Sequence, residues 1–146
     1  MTEAPKTVEE VIAERGTYMT NTLGSSMRPL FKTHRDAVIL SRPDREIRKY
    51  DVVLYKTERG YILHRVIKIK GDTLIIRGDN TFVREYVKAS DVIAYMTAFN
   101  RKGKRREITS ASYVLYSRFW NFIYPVRFVL RKLRTLLGKI KRKIFK

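Results

Sequence analysis

Three widely spaced residues carry side chains suited to acyl-transfer chemistry. Ser26 lies in Gly24-Ser25-Ser26-Met27-Arg28-Pro29-Leu30, where a glycine before and a proline after the hydroxyl punctuate the backbone, as an exposed nucleophile on a sharp turn requires. His64 interrupts the apolar run Tyr61-Ile62-Leu63-His64-Arg65-Val66-Ile67, and alternation puts it on the face opposite Leu63. An imidazole there can act as a general base near neutral pH. Asp79, in Arg77-Gly78-Asp79-Asn80, offers a carboxylate that could orient the imidazole and stabilise its cation. Each patch alone has a plainer reading: a serine turn, a sheet histidine, an Asx turn closing a strand.

Composition narrows the alternatives. The chain of 146 residues has no cysteine and only two histidines, His34 and His64. Disulfides, thiol nucleophiles and cysteine-ligated metals are excluded, and neither a zinc site nor a cofactor is expected. The net charge of +18 is unevenly placed. Residues 1–100 hold 17 Lys/Arg against 13 Asp/Glu, whereas residues 101–146 hold 15 against Glu107 alone. A mildly basic body and a strongly basic tail imply separate tasks.

The elements that would position these groups are mostly strands. Thr7–Glu14 reads as a short capped helix ended by Gly16. Thr17–Leu23, Ala37–Leu40, Val52–Tyr55, Tyr61–Ile69, Thr73–Ile76 and Val92–Phe99 read as strands, with Gly71-Asp72 as a hairpin turn. Six short runs with short connections predict a mainly β fold, a compact antiparallel sheet or barrel. The expected divisions are an N-terminal helix (1–16), a β domain (17–108) and a helical tail (109–146).

Taken in order, Gly-x-Ser-Met-x-Pro, Tyr-Asp-Val-Val-Leu-Tyr, Leu-His-Arg-Val-Ile and Gly-Asp-Asn resemble the type I signal peptidases and the self-cleaving SOS repressors of the same clan. The resemblance spans about Thr17 to Phe99. It implies the antiparallel β body of that clan and a serine endopeptidase that cleaves a precursor or leader peptide. Bacterial signal peptidases have a lysine base before Arg-Val-Ile; His64 stands here, as in the endoplasmic-reticulum and archaeal type. By this likeness Ser26 is the nucleophile, His64 the base and Asp79 the acidic partner. Glu85 falls near a further family aspartate, and Arg65 and Ser25 are candidate supporting residues. Many relatives carry an oxyanion-binding serine two positions before the nucleophile, where this chain has Gly24; Ser25 is the available substitute. Without that hydroxyl, a catalytically weak or inactive peptide-binding module of the same fold is the alternative. Lys68 and Lys70, on the His64 face if alternation holds, match no family position as bases.

The tail completes the reading. From Pro125 onward, Val126, Val129, Leu130, Leu133, Leu136, Leu137, Ile140 and Ile144 recur at helical spacing, within an arc of about 120°. Basic residues fill the rest, Phe128 and Phe145 lie off the arc, and Tyr116, Phe119, Trp120, Ile123 and Tyr124 suggest a preceding helix. Such a basic amphipathic segment is expected to lie on an anionic membrane surface. Packing of its apolar stripe on the β body is the second option, and nucleic acid the least favoured partner. With no signal peptide and no run of about 20 apolar residues, the expected location is cytoplasmic, peripheral at the inner face of the cell membrane.

Overall fold

Thr7 opens the first helix. The structure, a computed structural model, describes residues 5–145; residues 1–4 of the expected N-terminal unit and Lys146 of the tail lie outside the described residues. Helix α1 (Val8–Arg15) starts with a reciprocal capping box between Thr7 and Glu10 and ends at Gly16, whose φ of 74° is left-handed. Both ends follow the signals in the sequence.

Eight strands then form one antiparallel sheet: β1 (Thr17–Asn21), β2 (Ala37–Ser41), β3 (Val52–Thr57), β4 (Gly60–Lys70), β5 (Thr73–Arg77), β6 (Glu85–Lys88), β7 (Val92–Arg101) and β8 (Lys104–Glu107). The order is β1-β2-β7-β3-β4-β5-β6, and β8 pairs with β7. The six expected strands are all present. The two not anticipated, β6 and β8, are four residues each. Their sequences, Glu-Tyr-Val-Lys and Lys-Arg-Arg-Glu, lack an apolar run because they are short outer strands, where charge discourages edge-to-edge association.

The sheet has two apolar faces. Val38, Leu40, Val52, Leu54, Met96 and Phe99 pack on one face, together with Ile12 of α1 and Met27, Leu30 and Phe31 of the β1–β2 connection. Val53, Tyr55, Val66, Leu74, Ile76 and Tyr95 pack on the other. Between Val66 and Lys68 a bulge shifts the β4–β5 register. One extra residue swaps the faces beyond it, so Lys68 and Lys70 do not share the His64 face, and both are exposed.

Two helices follow the sheet: α2 (Ala111–Phe122) and α3 (Tyr124–Ile144), with a proline in the first turn of α3. Tyr113 and Ser117 of α2 are buried, whereas no residue of α3 is. The tail therefore docks through α2, and α3 largely leaves the body.

Candidate active site

The β1–β2 connection carries Ser26. Its base is fixed where Thr22 N and Oγ1 both donate to the Asp36 carbonyl, at 3.0 and 3.2 Å. The Asp36 carboxylate, wholly covered, accepts from the Lys32 and Lys102 amides and from both forks of Arg35. Chiefly through the Arg35 hydrogen bonds, its pKa is held down at about 2. Buried Met27, Leu30 and Phe31 anchor the far side of the turn in the core. Ser26 is thus the half-buried crest of a loop pinned at both ends.

A second loop holds that crest in place. Asn80 N donates to the Ser26 carbonyl at 2.7 Å, and Asn80 Nδ2 to the Ser25 carbonyl at 3.1 Å. Gly78 sits against both Ser26 and His64: a β-carbon there would lie 2.7 Å from the Ser26 carbonyl oxygen and 3.0 Å from His64 Nε2. Only glycine permits this approach, so the Gly-Asp-Asn motif has a steric cause as well as a polar one. The same geometry makes His64 Nε2 a close neighbour of the Ser26 backbone. Ser26 and His64 also line one cavity of about 440 Å³, whose walls include Tyr18, Leu54, Leu63 and Val8 of α1.

The other side of the imidazole faces Glu85. His64 Nδ1 lies 2.8 Å from Glu85 Oε2, and the Tyr55 hydroxyl donates to the same carboxylate oxygen while lying 3.4 Å from Nδ1. Burial, and then Glu85, push the Tyr55 pKa up, so its hydroxyl stays a donor. A carboxylate can only accept. With Glu85 as acceptor the proton sits on Nδ1, and Nε2, which shares the Gly78 surroundings with the Ser26 carbonyl, keeps its lone pair.

The expectation that Asp79 orients His64 is corrected. Asp79 Oδ1 and Oδ2 accept from Arg65 Nε and Nη2 at 2.7 and 2.9 Å. Oδ2 also accepts from the Tyr116 hydroxyl at 2.9 Å. Burial opposes the Arg65 charge, but Asp79 and Tyr113 outweigh it and raise its pKa. The cause of the exchange is strand alternation. His64 and Arg65 are neighbours on β4 and so point to opposite faces. Val66 shares the His64 face, pairs with Ile76, and Ile76 pairs with Glu85. Glu85 thereby reaches the His64 side, while Asp79 meets Arg65.

Asp79 is instead the hub between the site and the tail. Its carbonyl accepts from Trp120 Nε1 at 2.8 Å and Arg127 Nη2 at 2.6 Å. Arg127 also stacks over the Trp120 ring at 3.8 Å, and Phe82, three residues past Asp79, packs against Tyr124 and Phe128. The clamp on Ser25 and Ser26 is thus braced from behind by α2 and the first turns of α3. Ser25 itself is exposed and contributes its carbonyl, with no side-chain hydrogen bond among those found in the described residues.

No family model matches this chain, and no curated protein or solved structure is significantly similar to it.

Tyr55, Gly78 and the Tyr116, Trp120 and Arg127 braces are not among the site residues expected from the motifs. Tyr55 and Gly78 fall inside the quoted motifs, and counting by two along β3 from Val53, the partner of His64, would have put Tyr55 on its face. Tyr116 and Trp120 left no signal beyond their aromatic character, and Arg127 none beyond its charge.

Proposed function

We propose that the chain is a serine endopeptidase of signal-peptidase-like chemistry that cleaves a precursor or leader peptide. The observation that carries this reading is the disposition of His64, with Nδ1 on Glu85 and Nε2 beside the Ser26 segment. A base held in one tautomer by a carboxylate next to a loop serine is the general requirement for activating a hydroxyl.

In the first step Ser26 Oγ attacks the scissile carbonyl carbon as its proton passes to His64 Nε2. The carbonyl oxygen becomes an oxyanion, for which the Ser26 N–H is one donor. Collapse breaks the C–N bond, and the imidazolium returns its proton to the leaving amine, giving an acyl-enzyme. Water then attacks the ester with His64 again as base, and Ser26 is regenerated. Throughout, Glu85 stabilises the transient cation and Tyr55 fixes Glu85. The cavity, with apolar walls beside Ser26, is suited to apolar side chains of a peptide. Loss of one oxyanion donor typically costs about 10²–10³ in rate, so Gly24, which offers no hydroxyl, favours a slow enzyme. It also keeps open a second reading, a peptide-binding module with little or no hydrolysis.

Comparing the peptides of cells that carry the wild-type or the Ser26→Ala chain tests the proposal. A precursor processed only in the wild type is expected. Identical processing in both would remove Ser26 from the chemistry, and peptide capture without cleavage by either would favour the binding module.

A further inference from the structure

The two C-terminal helices share one design. On α2 the docked face is Tyr113, Tyr116, Ser117 and Trp120, while Leu115, Phe119 and Phe122 are exposed by 71, 55 and 82%. At about 100° per residue these two sets lie on opposite sides of the helix. On α3 the contacts with the body come from Tyr124, Arg127, Phe128 and Arg131, which meet Asp79, Trp120 and Phe82. That face is turned about 170° from the centre of the apolar stripe of Val126, Val129, Leu133, Leu137, Ile140 and Ile144. The stripe is 45–70% exposed along its length. It cannot fold onto the sheet without detaching the helix from Asp79 and Phe82. Phe128, which lies off the stripe, is explained as a docking residue.

We propose that α2 and α3 form a docking surface for an anionic lipid bilayer, reached by the stripes that face away from the sheet. Charge selects this occupant. α3 carries eight Lys/Arg and no acid over 21 residues. Arg134 and Lys141 flank one edge of the stripe, and Lys132 and Lys143 the other, as an in-plane helix needs to reach headgroups while its apolar side enters the acyl boundary. A second copy would bring two acid-free, like-charged helices together. Nucleic acid would meet bare leucines between the basic flanks, while Arg127 and Arg131 are already stacked on Trp120 and Phe82. No helix among the described residues is long and apolar enough to cross a membrane, so the contact is in-plane. It goes beyond the peptidase reading and holds whether or not Ser26 is a nucleophile.

Sedimentation of the full chain with vesicles tests it. Phosphatidylcholine containing about 30 mol% phosphatidylglycerol is expected to bind at least about tenfold more chain than phosphatidylcholine alone, with binding falling as salt rises. The double variant Leu133→Glu/Leu137→Glu should lose at least about tenfold of this binding. Both residues are exposed, so its thermal unfolding should match the wild type, and Ser26→Ala should bind as the wild type does. Absence of binding to either vesicle would overturn the proposal. So would equal binding by the double variant, a stripe-dependent dimer in place of vesicle binding, or tighter binding to duplex DNA than to the anionic vesicles.

Discussion

Exchanging the two carboxylates for amides, one at a time, separates their roles. Asp79→Asn keeps the volume but removes the charge facing Arg65, a side chain with no exposed surface. Two Arg65 hydrogen bonds and one from Tyr116 are weakened together, and a buried guanidinium is left without its counter-ion. Breaking such a pair typically costs about 3–5 kcal/mol, a large part of the roughly 5–15 kcal/mol that holds a domain folded. At about 2–4 °C per kcal/mol for this chain length, the melting temperature should fall by about 6–20 °C. Glu85→Gln should do the reverse. Its side chain is 35% exposed, and partly exposed pairs contribute about 1 kcal/mol or less, so melting should stay within about 4 °C. Its amide can no longer fix the Nδ1–H tautomer of His64, and losing the orienting carboxylate of a triad lowers kcat by up to about 10⁴. Circular dichroism melts and turnover of an activated peptide ester measure both quantities. An Asp79→Asn chain that melts like the wild type but has lost turnover, beside a Glu85→Gln chain that turns over normally, would refute the assignment of the two acids.

Other outcomes follow from the same contacts. Gly78→Ala should abolish turnover and cost about 1–3 kcal/mol, because its β-carbon would meet the Ser26 carbonyl at 2.7 Å and His64 Nε2 at 3.0 Å; a fully active alanine variant would contradict the clamp. Arg127→Gln removes the charged donor to the Asp79 carbonyl and should lower stability by about 1.5–3 kcal/mol, read by denaturant melts. Asp36 has its folded pKa depressed to about 2 from an ordinary 3.8. Its carboxylate therefore stabilises the fold above pH ~4, and this contribution fades as the pH falls toward 2. Asp36 is wholly covered but its partner Arg35 is 34% exposed, so the effect is at most about 2 kcal/mol. Urea titrations of wild type and Asp36→Asn should converge over that window.

Much of this was legible in the chain because each signal was local. Thr7, Glu10 and Gly16 wrote α1, and the apolar runs wrote six strands. β6 and β8 were hidden because short outer strands such as Lys104–Glu107 are selected for charge, which periodicity does not register. The ordered motifs assembled Ser26, His64 and the Gly78–Asn80 loop. They could not say which carboxylate reaches His64, since Asp79 and Glu85 differ only in the sheet face to which register delivers them. The α3 stripe was visible as an amphipathic pattern. Its direction, away from the sheet, depended on Phe82 and Asp79 capturing the opposite side, a long-range packing choice.

Covalent labelling with a fluorophosphonate, mapped by mass spectrometry, reads whether His64 activates Ser26. A single adduct is expected on the peptide containing Ser26, absent in Ser26→Ala and slowed by at least about 10² in His64→Ala. No adduct at Ser26, or one formed equally fast without His64, would contradict it.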